Sequence, residues 1–373
     1  MLIRLSFCAI FPLNSALGGL MGYKQMDTNF TFADLSLSEA MEKNRSLTRM
    51  EKINSIIDWN PIETLLLKHY DIGKKKEGAE AYPPLLLLKC LLIQKWFHIE
   101  SDPELETQIN DRISFRKFLG LSFDEASPDH STFSRFRSRL SKKAMNKINS
   151  EVLRQFASRG LTITEGIAVD ARLIQSASSP LSNERLKQER NRRETPEGKV
   201  DRNGKPLKYS RDLESDWTVK NDIAHFGLKE HASVDIKYGF VLATEITPAS
   251  HHDSPYLPLC VAGSCHTQDP IKKVFADKGY FGAPNREFLS MNNIEDGIMR
   301  KATAGTELTA YEKARNKAIS KIRYIVEQYF GLSQLHDGAD RARFPEMIIN
   351  AMDALFRQMA FNLFRGSKIL KAA

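Results

Sequence analysis

Little in this chain of 373 residues points to crosslinking, a membrane or secretion. Its four cysteines, Cys8, Cys90, Cys260 and Cys265, are too few and too irregularly placed for a disulfide framework. Cys90 also sits inside an apolar helical run, so a reducing compartment is expected. Cys260, Cys265 and His266 lack a second ligand pair at zinc-site spacing, which argues against zinc. No stretch reaches the ~18 uninterrupted apolar residues of a membrane helix. The longest candidate, PPLLLLKCLLIQKWF, is broken by Lys89 and Lys95. The leader MLIRLSFCAIFPLNSALGGL combines Arg4, an apolar run and the small residues Ala16 and Gly18, a weak signal-peptide pattern. Nothing downstream looks secreted, so translation starting at Met21 or Met26 is the expectation, with 1–29 set apart from the fold.

Locally, negative charge is also scarce. The chain carries 54 Lys and Arg against 46 Asp and Glu, a net +8, which favours a polyanionic partner. Between Ser127 and Ser150, Arg135, Arg137, Arg139, Lys142, Lys143 and Lys147 face a single acid, Asp129. A second basic stretch runs from Glu184 to Arg211, with ten bases against five acids. With 42% apolar and 27% charged residues, the composition is otherwise that of an ordinary globular protein large enough for two domains.

Residues 30–160 read as helical. Apolar residues recur at helical spacing in RMEKINSIIDW and PIETLLLKHY, and Pro61, Pro83-Pro84 and Asp102-Pro103 mark helix starts. SPDHSTFSRFRSRLSKKAMNKINSEVLRQF predicts one long helix entered at Ser127-Pro128-Asp129. Phe133, Phe136, Leu140 and Ala144 share one side of it, with Ser131, Ser134, Arg135, Ser138 and Lys142 opposite. That basic, hydroxyl-rich face, with Arg139 beside it, suits phosphate contacts to DNA; a solvated face without a partner fits the pattern equally.

After Gly160 the period changes. ITEGIAVDARLI reads as a strand, and the basic stretch at about 176–222 as an insertion or mobile loop. KEHASVDIK and FVLATEITP form a hairpin at Tyr238-Gly239, and KKVFAD and EDGIMRK alternate with short helices. Long helices follow from Thr309 to Leu335 and from Pro345 to Phe364. A first strand, two antiparallel neighbours and then helix-linked strands predict a mixed α/β, ribonuclease-H-like sheet flanked by helices over 161–366.

Asp170 ends the apolar run GIAVD in the first strand, as Asp277 ends VFAD in a later one. Asp often ends a strand merely to start a turn. Alternatively, neighbouring strands would set the two carboxylates side by side, where only a cation offsets their repulsion. Magnesium, an oxygen-liganded ion held by few carboxylates, suits that role, and a third acid would allow a two-metal site. Glu327 is a candidate, with Arg323 one turn before it and Gln334 two turns after, both placed to meet a DNA backbone. Taken alone, Arg323 and Glu327 also read as an exposed i,i+4 ion pair. Asp235 and Glu245 read as strand surface. Asp253 reads as a helix N-cap, and a metal site on His251, His252 and Asp253 is disfavoured because adjacent side chains diverge.

FRKFLGLSFDEASPDHSTFSRFRSRL, IAVDARLI, HFGLKEHASVDIKYGFVLATEITPASHHDS, VFADKGYFG and RYIVEQYFG occur in an order that resembles bacterial insertion-sequence transposases of the insertion-sequence-five family. The resemblance covers about residues 30–364. It implies a ribonuclease-H-like core with a DDE triad, matching Asp170, Asp277 and Glu327 as metal ligands, preceded by an all-α DNA-binding domain. It further implies magnesium, with manganese able to replace it, as cofactor, and cleavage and joining of double-stranded DNA at the element's terminal inverted repeats. A homodimer on DNA in a bacterial cytoplasm, associated with the nucleoid, is part of the same expectation. Arg323 matches the family's arginine four residues before the glutamate. Ser320 and Gln334 depart from its usual tyrosine and basic residue. A DNA-binding protein that no longer cuts, and a nuclease that cuts without joining, are the alternatives.

Overall fold

The computed structural model describes residues 22–24, 41, 43–74, 80–122, 124–195, 199–200, 211–265, 270–302 and 305–372. Residues 1–29, set apart from the fold above, lie outside the described residues except for 22–24, as do 196–198 and 201–210 of the basic stretch and His266. The chain divides into two compact units, Met1–Gln94 with Ile99–Arg139, and Lys95–His98 with Leu140–Ala373.

The described elements of the first unit are helices: α1 (Arg45–Ile56), α2 (Asn60–His69), α3 (Pro84–Trp96, its last two residues counted with the second unit), α4 (Asp102–Asp111), α5 (Ile113–Leu119) and α6 (His130–Arg139). Their apolar stripes close a core that includes Met50, Ile53, Ile62, Leu66, Phe115, Phe133 and Phe136. Local chemistry sets the ends. The Ser101 hydroxyl accepts the Glu104 N–H at the start of α4, and Gly120 leaves α5 in the left-handed conformation, at φ 73°.

The long helix predicted after Asp129 is two helices. Leu140 leaves the helical path, Ser141 is extended, and its hydroxyl accepts the Ala144 N–H to start α7 (Lys142–Ala157) anew. One helical wheel therefore cannot carry residues from both sides of the break.

The second unit continues with β1 (Ile167–Gln175), α8 (Asn183–Glu194), β2 (Asp216–Lys220), β3 (Ile223–Asp235), β4 (Val241–Pro248), α9 (Leu257–Gly263), β5 (Lys273–Ala276), α10 (Ala283–Met291), β6 (Glu295–Ile298), α11 (Ala310–Asp337) and α12 (Met347–Ala372). This is a mixed α/β unit. β1 lies between β3, antiparallel to it, and β5, parallel to it; β4 is antiparallel to β3 and β6 parallel to β5. The first strand, its two antiparallel neighbours and the helix-linked strands follow the predicted order.

β2 was not foreseen. The basic stretch read as an insertion or loop contains α8 and β2. Leu186, Leu213 and Phe226 form a small core there with Leu181 and Trp217, and Arg190 donates to the carbonyls of Leu213 (2.7 Å) and Ser215 (2.9 Å). Two buried leucines, Leu186 and Leu213, and two clasping arginines, Arg190 and Arg193, order a segment whose composition reads as coil.

Two helices position the sheet. The Thr309–Glu312 capping box starts α11, and Gly338 ends it in the left-handed conformation. Ile319, Val326, Tyr329 and Phe330 of α11 pack on Ala168, Ala232, Val234 and Phe275. α12 covers β4 with amides as well as apolar groups. Asn362 exchanges hydrogen bonds with the N–H (2.8 Å) and C=O (2.7 Å) of Val241, and Gln358 donates to the Leu242 carbonyl at 3.0 Å. Backbone groups of a sheet edge are thus satisfied by side chains.

Candidate active site

β1 and β5 run in parallel register, Ile167 beside Val274, Ala168 beside Phe275 and Val169 beside Ala276. One residue further along each chain come Asp170 and Asp277. Side chains alternate along a strand, so Asp170 follows Ala168, and Asp277 follows Phe275, on the face that α11 covers. Asp170 does not end its strand: β1 continues to Gln175.

α11 brings two further groups to that face. Arg323 is buried, and its Nη2 lies 2.6 Å from Oδ2 of Asp170. Glu327, one turn on, is exposed, and its carboxylate makes no hydrogen bond or ion pair among the described residues. The exposed Arg323–Glu327 pair that the helix alone suggested does not form, because Arg323 turns inward to β1. Gln334 is exposed.

Burial pushes the Asp170 carboxyl up to about 6, against the lowering influence of Arg323 and of the Ala171 N–H. Asp277 and Glu327 push it up further, so both carboxylates stand within electrostatic reach of Asp170. Asp277 also does what an ordinary turn residue does. Its Oδ1 accepts the Gly279 N–H and caps the single turn Lys278–Tyr280. The turn fixes the carboxylate at the strand exit, so the two readings of this residue are compatible. Tyr280 lies buried behind it, its hydroxyl without a hydrogen-bond partner among the described residues.

The donor chemistry fits a hard divalent cation: carboxylate oxygens only, with excess negative charge and one group largely buried. The spacing is wider than a closed cage. Among the described residues, no group of three or more His, Cys, Asp or Glu stands close enough together to hold a metal ion. Arg323 instead supplies the positive charge at Asp170.

The remaining acids have structural duties. Asp235 is not strand surface. It is fully buried, accepts the Tyr238 N–H at 2.6 Å and shapes the β3–β4 turn, because a tight turn needs its backbone donors satisfied. Asp253 makes no side-chain cap and pairs with Lys229 at 2.8 Å. Glu245 pairs with Lys142 at 2.7 Å. Lys142 belongs to α7 and so drops out of the α6 face. Ser131, Ser134, Arg135, Ser138 and Arg139 are exposed on α6; Arg137, counted among the basic residues, is buried and pairs with Asp102 at 2.9 Å. His251 donates to or accepts from Tyr256 Oη at 2.6 Å.

Sequence reasoning missed Glu230 and Arg172. Glu230 is fully buried and pairs with Arg172, which lies directly opposite it on β1. A visible signal existed: Arg172 stands two residues after Asp170, hence on the same face of the strand.

Among the described residues, no helix is long and apolar enough to cross a membrane. A solved structure of the piggyBac transposase synaptic complex with hairpin DNA aligns over 90% of this chain and 77% of that one, at 9% identity and a TM-score of 0.39. So weak a likeness fixes neither fold nor function. Family patterns are more informative. Residues 36–139 match the family described as Transposase domain (DUF772), and residues 163–363, more than half of the chain, match the family described as Transposase DDE domain. The chain belongs to the transposases built on a DDE domain.

Proposed function

We propose that the chain is an insertion-sequence transposase of the insertion-sequence-five type, which binds the terminal inverted repeats of its element and cuts and joins DNA strands at Asp170, Asp277 and Glu327. The observation that carries this is the placement of Asp170 and Asp277 beyond paired residues of adjacent parallel strands, under the helix that bears Arg323 and Glu327. Family membership supports DNA transposition as the process, and the mixed sheet supports a ribonuclease-H-like core.

Asp170, Asp277 and Glu327 would hold magnesium, or manganese. A bound divalent ion supplies Lewis acidity for a water or a 3′-hydroxyl and offsets charge on the leaving oxygen. The protein's part is positioning and charge. β1 and β5 fix two carboxylates, and the turn at Lys278–Tyr280 holds Asp277 against rotation. Arg323 offers a fork of donors that suits a phosphate as well as it suits Asp170. Gln334 offers an amide to the same backbone. The exposed α6 residues Ser131, Ser134, Arg135, Ser138 and Arg139 form the phosphate-contacting surface, and two chains are expected on paired ends.

A nuclease that nicks without joining would use the same carboxylates. The test is an end-bearing duplex mixed with a second duplex in magnesium. Covalent insertion of the freed 3′ ends supports the transposase; nicked products alone would favour the nuclease.

A further inference from the structure

Glu230 on β3 has no exposure, and burying a carboxylate is costly unless its oxygens are paired. Its two oxygens are shared among three elements. Arg172 on β1 donates to Oε2 through Nε at 2.9 Å and Nη2 at 2.5 Å, and its Nη1 donates to the Phe330 carbonyl of α11 at 3.0 Å. Tyr329 of α11, also buried, donates its hydroxyl to Oε1 at 3.0 Å. Arg357 of α12 stands 3.6 Å from Oε2. Burial would raise the Glu230 pKa, but Arg172, Arg357 and the hydrogen bonds hold it below the usual carboxylate range.

The spacing gives this clasp its meaning. Arg172 is two residues after Asp170 on β1, and Tyr329 is two residues after Glu327 on α11. In the β1–β3 ladder, Arg172 faces Glu230 and Asp170 faces Ala232, so the clasp and Asp170 occupy successive positions on one face. Apolar attraction between α11 and the sheet is non-directional, so it fixes the helix register less sharply than hydrogen bonds do. A slide of one residue would shift the helix about 1.5 Å and rotate it about 100°. The directional bonds from the Tyr329 hydroxyl to Glu230 and from Arg172 to the Phe330 carbonyl resist that motion. The clasp extends to the end of α11, where Asp337 pairs with Arg357 at 2.7 Å and Asp353 binds Lys95 at 2.7 Å.

We infer that Glu230, with Arg172 and Tyr329, is a positioning device that sets the register of α11 on β1 and so the separation of the Glu327 and Asp170 carboxylates. None of the three touches the reacting atoms. The inference rests on the metal-site reading above, and its consequence is a metal affinity that depends on residues behind the site. Outer partners of metal-binding groups typically contribute about 10- to 100-fold in affinity.

The test is manganese binding to the full chain, followed by the Mn(II) electron paramagnetic resonance signal, with melting temperature and end-duplex binding measured alongside. Tyr329→Phe keeps the ring and removes one hydrogen bond, and should weaken manganese binding about 10-fold while duplex binding stays within about twofold. Glu230→Gln should weaken it further. Asp170→Asn reports on the site itself, and Arg190→Ala removes hydrogen bonds far from it. If Asp170→Asn loses manganese while Tyr329→Phe and Glu230→Gln bind as the unaltered chain does, the site reading survives and the positioning role is overturned. Equal weakening by Arg190→Ala would also overturn it, as general loosening. Manganese binding that survives Asp170→Asn would overturn the site reading and this inference with it.

Discussion

Arg323 of α11 places Nη2 2.6 Å from Oδ2 of Asp170 on β1, and the pair is largely buried, with side-chain exposures of 8% and 20%. It bonds the helix to the strand at the point where the acids gather. The guanidinium lowers the cost of the buried carboxylate without cancelling it, since burial still holds Asp170 near 6.

This pair should show coupling in a double-mutant cycle. Arg323→Ala leaves a buried carboxylate unpaired, and Asp170→Asn leaves a buried guanidinium unpaired, so each should destabilise alone. The double variant should recover about 1–3 kcal/mol, below the full range for buried pairs because Asp170 keeps some solvent. Urea unfolding of the four proteins measures it, and additivity within about 0.5 kcal/mol would contradict a direct bond.

His231 should make stability pH-dependent. It is fully buried on β3, hydrogen-bonded to Thr247 at 3.0 Å, and burial depresses its pKa to about 4. A depressed folded pKa means the unfolded chain takes up the proton first. The stability is therefore complete above about 6.5 and is lost as pH falls toward 4, by up to roughly 3 kcal/mol. His231→Gln should flatten the unfolding free energy between pH 7.5 and pH 4.5; an unchanged slope would rule His231 out as its source.

On α6, Arg135 and Arg139 are exposed, whereas Lys142 of α7 is held by Glu245. Arg135→Gln and Arg139→Gln should each reduce the salt-dependence slope of duplex binding by about one, and Lys142→Gln should leave it unchanged. Fluorescence anisotropy across a salt series distinguishes these outcomes. A slope lowered only by Lys142→Gln would move the DNA surface elsewhere.

Arg190→Ala removes two charge-assisted hydrogen bonds that hold residues 213–215 to α8. Such bonds contribute about 1.5–3 kcal/mol, so amide exchange in 183–195 and 211–220 should accelerate about 10- to 100-fold, with β1 and β5 unaffected. Unchanged exchange would mean that the small core around Leu186 orders the segment unaided.

Much of the sheet was legible because its strands announce themselves by β-branched and alternating runs. GIAVDARLI and KKVFAD each deliver an acid, and those acids are neighbours because the two strands pair in parallel. What stayed hidden depended on long-range partners. Nothing local marks Leu140–Ser141 as a helix break except a serine that proved to be a cap. α8 and β2 are ordered by Leu186, which shares a core with Leu213 and Phe226, and by Arg190, which bonds the carbonyls of Leu213 and Ser215, all more than twenty residues away in the chain. Glu230 and Asp235 look like strand-surface acids until the covering elements and turn are in place. Arg323 could be matched to its helix face from sequence, but not to Asp170, because ion-pair choice depends on tertiary placement.

The most direct test of the central claim is magnesium-dependent nicking of a duplex carrying the element's own end, comparing the unaltered chain with Asp277→Asn at matched folding and matched DNA binding. Asparagine retains the side-chain oxygen that accepts the Gly279 N–H, so the turn should persist while the charge is lost. Nicking by the unaltered chain and none by the variant is the predicted result. Equal nicking by both would reduce Asp277 to a turn residue and contradict the triad.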